Sequence, residues 1–137
     1  MNPAQLRQRT ATFAREVDTF VAPLLEKIRT RNTAEQLLEA SASVASNYRA
    51  AGRARSHAEF TAKIGTVLEE ADESQFWLQH LDACRLADQA RLAPLLAEAT
   101  ELVAIFTTAV KTAQATESDR RQNPPRPSRR RGQRPPT

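Results

Sequence analysis

Residues 60–81 read FTAKIGTVLEEADESQFWLQHL, and the spacing of the apolar and small side chains within them decides the fold. Phe60, Ile64, Val67, Ala71, Ser74, Leu78 and Leu81 follow one another at intervals of 4, 3, 4, 3, 4 and 3. A strand turns to the opposite face at every residue and would scatter this set, whereas a helix gathers it into one stripe. A sustained four–three rhythm packs helices nearly parallel with a left-handed twist. Just upstream, Ser56-His-Ala-Glu59 has the form of a capping box and places the start of this helix at Ser56.

Working outward, the same kind of stripe recurs three times. Upstream, Thr33-Ala-Glu-Gln36 also has capping-box form, and Leu37, Ser41, Val44, Tyr48 and Ala51 make an inner face. Within it Ala40–Ser46 is almost entirely Ala and Ser, which lets a neighbouring backbone approach closely, and Gly52 is placed to stop the helix. Nearer the start, Asn2 and Pro3 form a cap and a first turn. Leu6, Phe13, Val17, Phe20 and Leu24 follow on one face; Pro23 should end or kink this helix, leaving a connection over Pro23–Asn32. Downstream, a turn around Leu86–Ala90 precedes Leu92, Leu95, Ala99, Leu102, Phe106, Ala109 and Ala113, with Pro94 in the first turn and an end expected near Ala115. Four amphipathic helices on short connections imply an all-α, antiparallel up-down four-helix bundle over residues 1–116. Residues 117–137 form an Arg/Pro-rich tail. From Arg120 onward its only apolar side chains are prolines, so it is expected to be disordered and basic.

A chain of 137 residues bounds this to one domain large enough to bury a core without staples. Its single cysteine, Cys84, cannot close an intramolecular disulfide and suits a reducing cytoplasm. No secretory leader is expected, since Arg7, Arg9, Arg15, Glu16 and Asp18 interrupt the first twenty residues. The longest apolar-leaning run, Leu102–Val110, is too short to span a bilayer, so a soluble protein without membrane contact is expected. The net charge of +4 hides a strong segregation: residues 1–68 carry +4, residues 69–119 carry −7, and residues 120–137 carry +7. The basic pI therefore belongs to the tail, and nucleic-acid binding cannot be argued from it alone.

Residues able to carry catalysis are scarce. A di-metal site in a bundle needs Glu-x-x-His pairs, but Ala54 stands three before His57 and Trp77 three before His80. His57 reads as a surface residue at a helix start, His80 as a partly buried flank residue, and Cys84 as a small filler. No glycine-rich phosphate loop is present. We therefore expect no catalytic residue, no metal, no cofactor and no enzymatic activity. Two features remain. Arg49, Arg53, Arg55 and Lys63 surround the turn between the second and third helices. They read either as ordinary charge at a helix C-terminus or as phosphate contacts. Phe76 and Trp77 point about 160° and about 100° away from the stripe on opposite sides, taking 100° per residue, so one core cannot absorb both. They read either as a subunit interface or as local packing against a loop.

The run from Asn47 to Leu78 carries a resemblance as well. An Ala/Ser-rich helix ends in Asn47-Tyr48. Arg53, Ala54, Ser56, Glu59-Phe60, Lys63, Glu70-Ala71, Glu73-Ser74 and Trp77-Leu78 follow, with Glu101-Leu102 and Phe106 further on. In this the chain resembles, over about residues 5–115, the bacterial four-helix-bundle proteins encoded within intervening sequences of 23S rRNA genes. The connection after Pro23 looks longer than in that family, and the tail is an addition. The resemblance implies a homopentameric ring. It also implies kinship with the accessory variability determinant of diversity-generating retroelements, which binds nucleic acid and a reverse transcriptase. Two functions follow as expectations. One is an oligomer binding RNA or DNA through Arg49, Arg53, Arg55, Lys63 and the tail residues Arg129, Arg130 and Arg131, with Phe76 and Trp77 at the subunit interface. The other is a scaffold that binds a protein partner and no nucleic acid.

Overall fold

The computed structural model describes residues 1–127, and they form four helices: α1 (Pro3–Leu25), α2 (Arg31–Ala51), α3 (His57–Ala83) and α4 (Gln89–Gln122). Short connections force each helix to run antiparallel to the one before it, and each packs chiefly on its chain neighbours. The up-down bundle expected from the periodicity is the bundle observed. Of the α3 stripe, Ile64, Val67, Ala71, Ser74, Leu78 and Leu81 are buried and Phe60 lies half-buried at the end. Val67, Ala71, Leu78 and Leu81 join one cluster with Phe13, Val17 and Phe20 of α1, Leu37 and Val44 of α2, and Leu92, Leu102 and Phe106 of α4. Two buried hydroxyls are satisfied inside their own helices: Ser74 Oγ donates to the Glu70 carbonyl at 2.8 Å and Thr10 Oγ1 to that of Leu6 at 3.0 Å.

The helix ends agree with the sequence where a cap is purely local. Asn2 and Gln5 form a reciprocal capping box, with Gln5 N–H donating to Asn2 Oδ1 at 2.8 Å and Asn2 N–H to Gln5 Oε1 at 3.1 Å. Ser56 Oγ accepts from the Glu59 amide at 3.1 Å, but the Glu59 carboxylate reaches back to the Arg55 amide instead of that of Ser56.

The first connection departs from expectation. α1 runs through Pro23 to Leu25: the missing N–H forfeits one bond close to the helix end, while Val21 and Leu24 remain buried on either side of it. α2 starts at Arg31, with Thr33 buried inside its first turn, so the expected capping box does not form. Thr30 precedes it, and its hydroxyl donates to the Leu24 carbonyl at 2.6 Å, closing the end of α1. The connection is thus only residues 26–30, and the long loop expected there is absent.

Three further ends differ. Gly52 caps α2 in a right-handed conformation, so its freedom to adopt positive φ is unused. At the end of α3, Arg85 takes φ 52°, with Leu86 N–H bonded to the Leu81 carbonyl at 2.9 Å and Arg85 N–H to that of Asp82 at 3.1 Å. This is a Schellman ending with arginine where glycine is usual. α4 continues to Gln122, past the end expected near Ala115, although nothing beyond Ala113 is buried. α4 is also, by length and composition, long and apolar enough to cross a membrane, a test the sequence reading expected no segment to pass. Between Arg91 and Lys111 its only charges are Glu98 and Glu101. One stripe of it, from Leu92 through Phe106 to Ala113, is buried in the bundle.

Glu70 is half-buried on α3, and burial first, then the charges of Glu73, Glu69 and Glu39, hold its carboxyl above the ordinary range. The folded protein therefore holds this proton more tightly than the unfolded chain. The resulting stability is complete below the ordinary carboxylate pKa and is lost as pH rises through the raised value. Glu70→Gln should accordingly raise the melting temperature at neutral pH and leave it unchanged near pH 3, below the ordinary Glu pKa of about 4.3. Equal effects at both pH values would contradict this account.

Candidate nucleic-acid interface

The antiparallel order brings the start of α1, the end of α2, the start of α3 and the end of α4 to one end of the bundle. Basic side chains concentrate there. Arg49 lies in the last turn of α2, Arg53 and Arg55 in the connection, and Lys63 two turns into α3. The structure brings all four onto one concavity of about 500 Å³, where Glu59 is the only acid. Three of them are exposed and Lys63 is half-buried.

A second concavity, about 770 Å³ in volume, continues this one along the groove between α1 and α2. Arg49, Arg53 and Ser46 border both. Its other cations are Arg7 and Arg15, which the sequence reading did not single out. The available signal was the run of small residues facing them: Ala11 and Ala14 on α1, Ala42, Ala45 and Ser46 on α2. Small side chains on both flanks leave an open groove whose rim residues stand clear. Arg7 also lies near the half-buried Tyr48, whose phenol burial pushes up while Arg7 acts in the opposite sense.

Arg9 shows what a neutralised arginine on the same helix looks like. It faces α4 instead of α2 and pairs with Glu98 and Glu101. Its Nε lies 3.0 and 3.1 Å from the two Glu98 oxygens. Hydrogen bonding to Glu98 is the main reason its pKa is raised, against the opposing effect of burial. Among the described residues the other ion pair joins Arg121 and Glu117, so none of Arg7, Arg15, Arg49, Arg53, Arg55 and Lys63 has a carboxylate partner. His57 ties this end together: its Nε2 bonds the Ala113 carbonyl of α4 at 2.9 Å, so it is a helix-to-helix link and not the free surface residue expected. Beyond Ala113, α4 carries Arg120 and Arg121 outward from this same end. The expected contacts Arg129, Arg130 and Arg131 lie outside the described residues.

The aromatic pair divides. Phe76 is 54 % exposed. Trp77 is half-buried, packs against the rim of the core, and donates from Nε1 to Glu73 Oε1 at 3.3 Å. The two rings meet edge to face at 4.9 Å between centroids, and His80 stacks on Phe76 at 6.4 Å. As expected, one core does not absorb both: Phe76 is left in solvent and Trp77 packs at the core rim. Trp77 is long enough to lean back over the flank of α3. Cys84 is exposed at the α3 cap and does not fill the interior as expected, because the chain turns away there; its Sγ is 4.0 Å from His80 Nδ1. Among the described residues no three His, Cys, Asp or Glu side chains group as metal ligands.

Comparison with known proteins bears on the fold and lineage. The family model described as 23S rRNA-intervening sequence protein matches residues 4–108. A crystal structure of a protein of unknown function from Bacteroides thetaiotaomicron, assigned to the S23 ribosomal protein family, superposes with a TM-score of 0.73 at 22 % identity. The match covers 81 % of this chain and 99 % of that one, and at such identity it speaks for the fold. No curated protein matches the sequence significantly.

Proposed function

The chain belongs to the 23S rRNA-intervening sequence protein family, and on that premise we propose that it is a non-enzymatic homo-oligomer that binds nucleic acid through the basic end of its bundle. The observation that carries this reading is the set of four cations, Arg49, Arg53, Arg55 and Lys63, converging on one concavity without carboxylate partners. Cations left unpaired by the fold are available to neutralise phosphates and release counterions, which gives sequence-independent, salt-sensitive binding. Repetition of the patch around a ring, five copies by the family resemblance, would add weak contacts as avidity. An exposed, unpaired Cys84 suits a reducing cytoplasm. Fluorescence anisotropy of a labelled RNA with the full chain should show log affinity falling linearly with log salt. Absence of binding even at low salt would overturn the reading.

One observation favours a protein-binding scaffold instead. Phe76 is a large aromatic left in solvent, set edge to face against Trp77 and stacked on His80, and so held ready for a partner. In our reading that partner is a second copy of the chain. Phe76→Asp is expected to shift the assembly to smaller species in light scattering with helix content unchanged. A monomeric unmutated protein at micromolar concentration would refute the oligomer and the avidity built on it.

A further inference from the structure

The groove between α1 and α2 is basic along its length and has no aromatic and no carboxylate in its lining. We propose that it takes the backbone of a single-stranded nucleic acid, phosphates inward and bases outward, and that Arg7 and Arg15 belong to the binding site. This rests on the nucleic-acid reading above and specifies its ligand.

Three observations support a single strand. The first is width. Neighbouring helix axes lie about 8–10 Å apart, so the groove admits one backbone, whereas a duplex, whose major groove alone is about 12 Å wide, can only graze the rim. The second is the floor. Alanine methyl groups and Ser46 leave nothing between a ligand and the helix surfaces, so a strand can settle between Arg7 and Arg15 on one wall and Arg49 and Arg53 on the other. Arg7 and Arg15 are eight residues apart, about 12 Å along a helix, which spans more than one phosphate. The groove then runs without interruption into the concavity holding Arg55 and Lys63, so six cations follow one track. The third is what is missing. No aromatic lines this track for a base to stack on, which suits phosphates inward and bases outward, and contacts to phosphates alone carry no base identity.

The test compares Arg7→Glu/Arg15→Glu with the parent protein on labelled twenty-nucleotide poly(U), poly(A) and a twenty-base-pair duplex. All proteins keep the full chain, so the tail contributes equally. We expect the double variant to lose about tenfold or more in affinity for both single strands. The slope of log affinity against log salt should fall by about 1.4, two contacts at about 0.7 each. Duplex affinity should change little. Arg7→Gln/Arg15→Gln should show a smaller loss in the same direction, and circular dichroism should be unchanged for both. Unaltered single-strand binding, or an equal loss for duplex and single strand, would overturn the groove assignment. If that happens while Arg49→Glu/Arg53→Glu still abolishes binding, the nucleic-acid reading survives and only the groove falls. If the parent protein binds none of the three probes, both fall.

Discussion

Leu78→Ala is expected to cost about 2–5 kcal/mol of folding stability, and Ile64→Ala a comparable amount. Both side chains lie on the α3 stripe and are all but inaccessible to solvent, and Leu78 belongs to the hydrophobic cluster shared by all four helices. Truncation removes the transfer energy of the lost methyl groups and leaves a cavity. A helix held over 27 residues cannot collapse locally to fill it. Against a native stability of about 5–15 kcal/mol for a typical domain, one such change is a large fraction of the total. Urea unfolding followed by circular dichroism measures it, with exposed Gln79→Ala as the control. Changes near zero for both core variants would mean that the stripe does not form the core.

The second large effect concerns binding. Arg49→Glu with Arg53→Glu should weaken RNA binding by at least about a hundredfold in a chain truncated after Gln122. A hydrogen bond from a charged donor contributes about 1.5–3 kcal/mol, and 1.4 kcal/mol is tenfold, so two lost contacts give roughly that factor before repulsion is added. Truncation there keeps α4 whole and removes no residue that the described structure buries, so the fold should persist. Reversal should exceed neutralisation to Gln, and the salt dependence should flatten because fewer counterions are released. Undiminished binding by the reversed variant would make these arginines ordinary surface charge. A truncated parent that binds nothing at low salt would favour the protein scaffold.

What the sequence alone determined is whatever depends on neighbours within a turn or two. The four–three rhythm of α3 states both helix and bundle, because a helix places residues three and four apart on one face whatever surrounds it. The caps at Asn2 and Ser56 are legible for the same reason: each hydroxyl or amide bonds an amide three residues on. The failures lie at helix ends, where the deciding bonds span five or six residues and leave the regular helical spacing. Thr33 looks like a cap, yet Thr30 ends one helix and starts the next, because its hydroxyl meets a carbonyl six residues back. Gly52 looks like the left-handed stop, while the left-handed residue is Arg85, imposed by the packing of Leu81 and the turn at Leu86. The candidate site divides in the same way. Arg49, Arg53 and Arg55 are close in sequence and could be grouped by eye. Arg7, Arg9 and Arg15 are three arginines on one helix; at about 100° per residue Arg15 falls about 80° from Arg7 and Arg9 about 200°, yet nothing local decides which of these faces meets an acid. Only the placement of α2 and α4 on either side of α1 does so: Arg9 falls against Glu98 and Glu101 and is neutralised, whereas Arg7 and Arg15 border a groove with no acid to meet them.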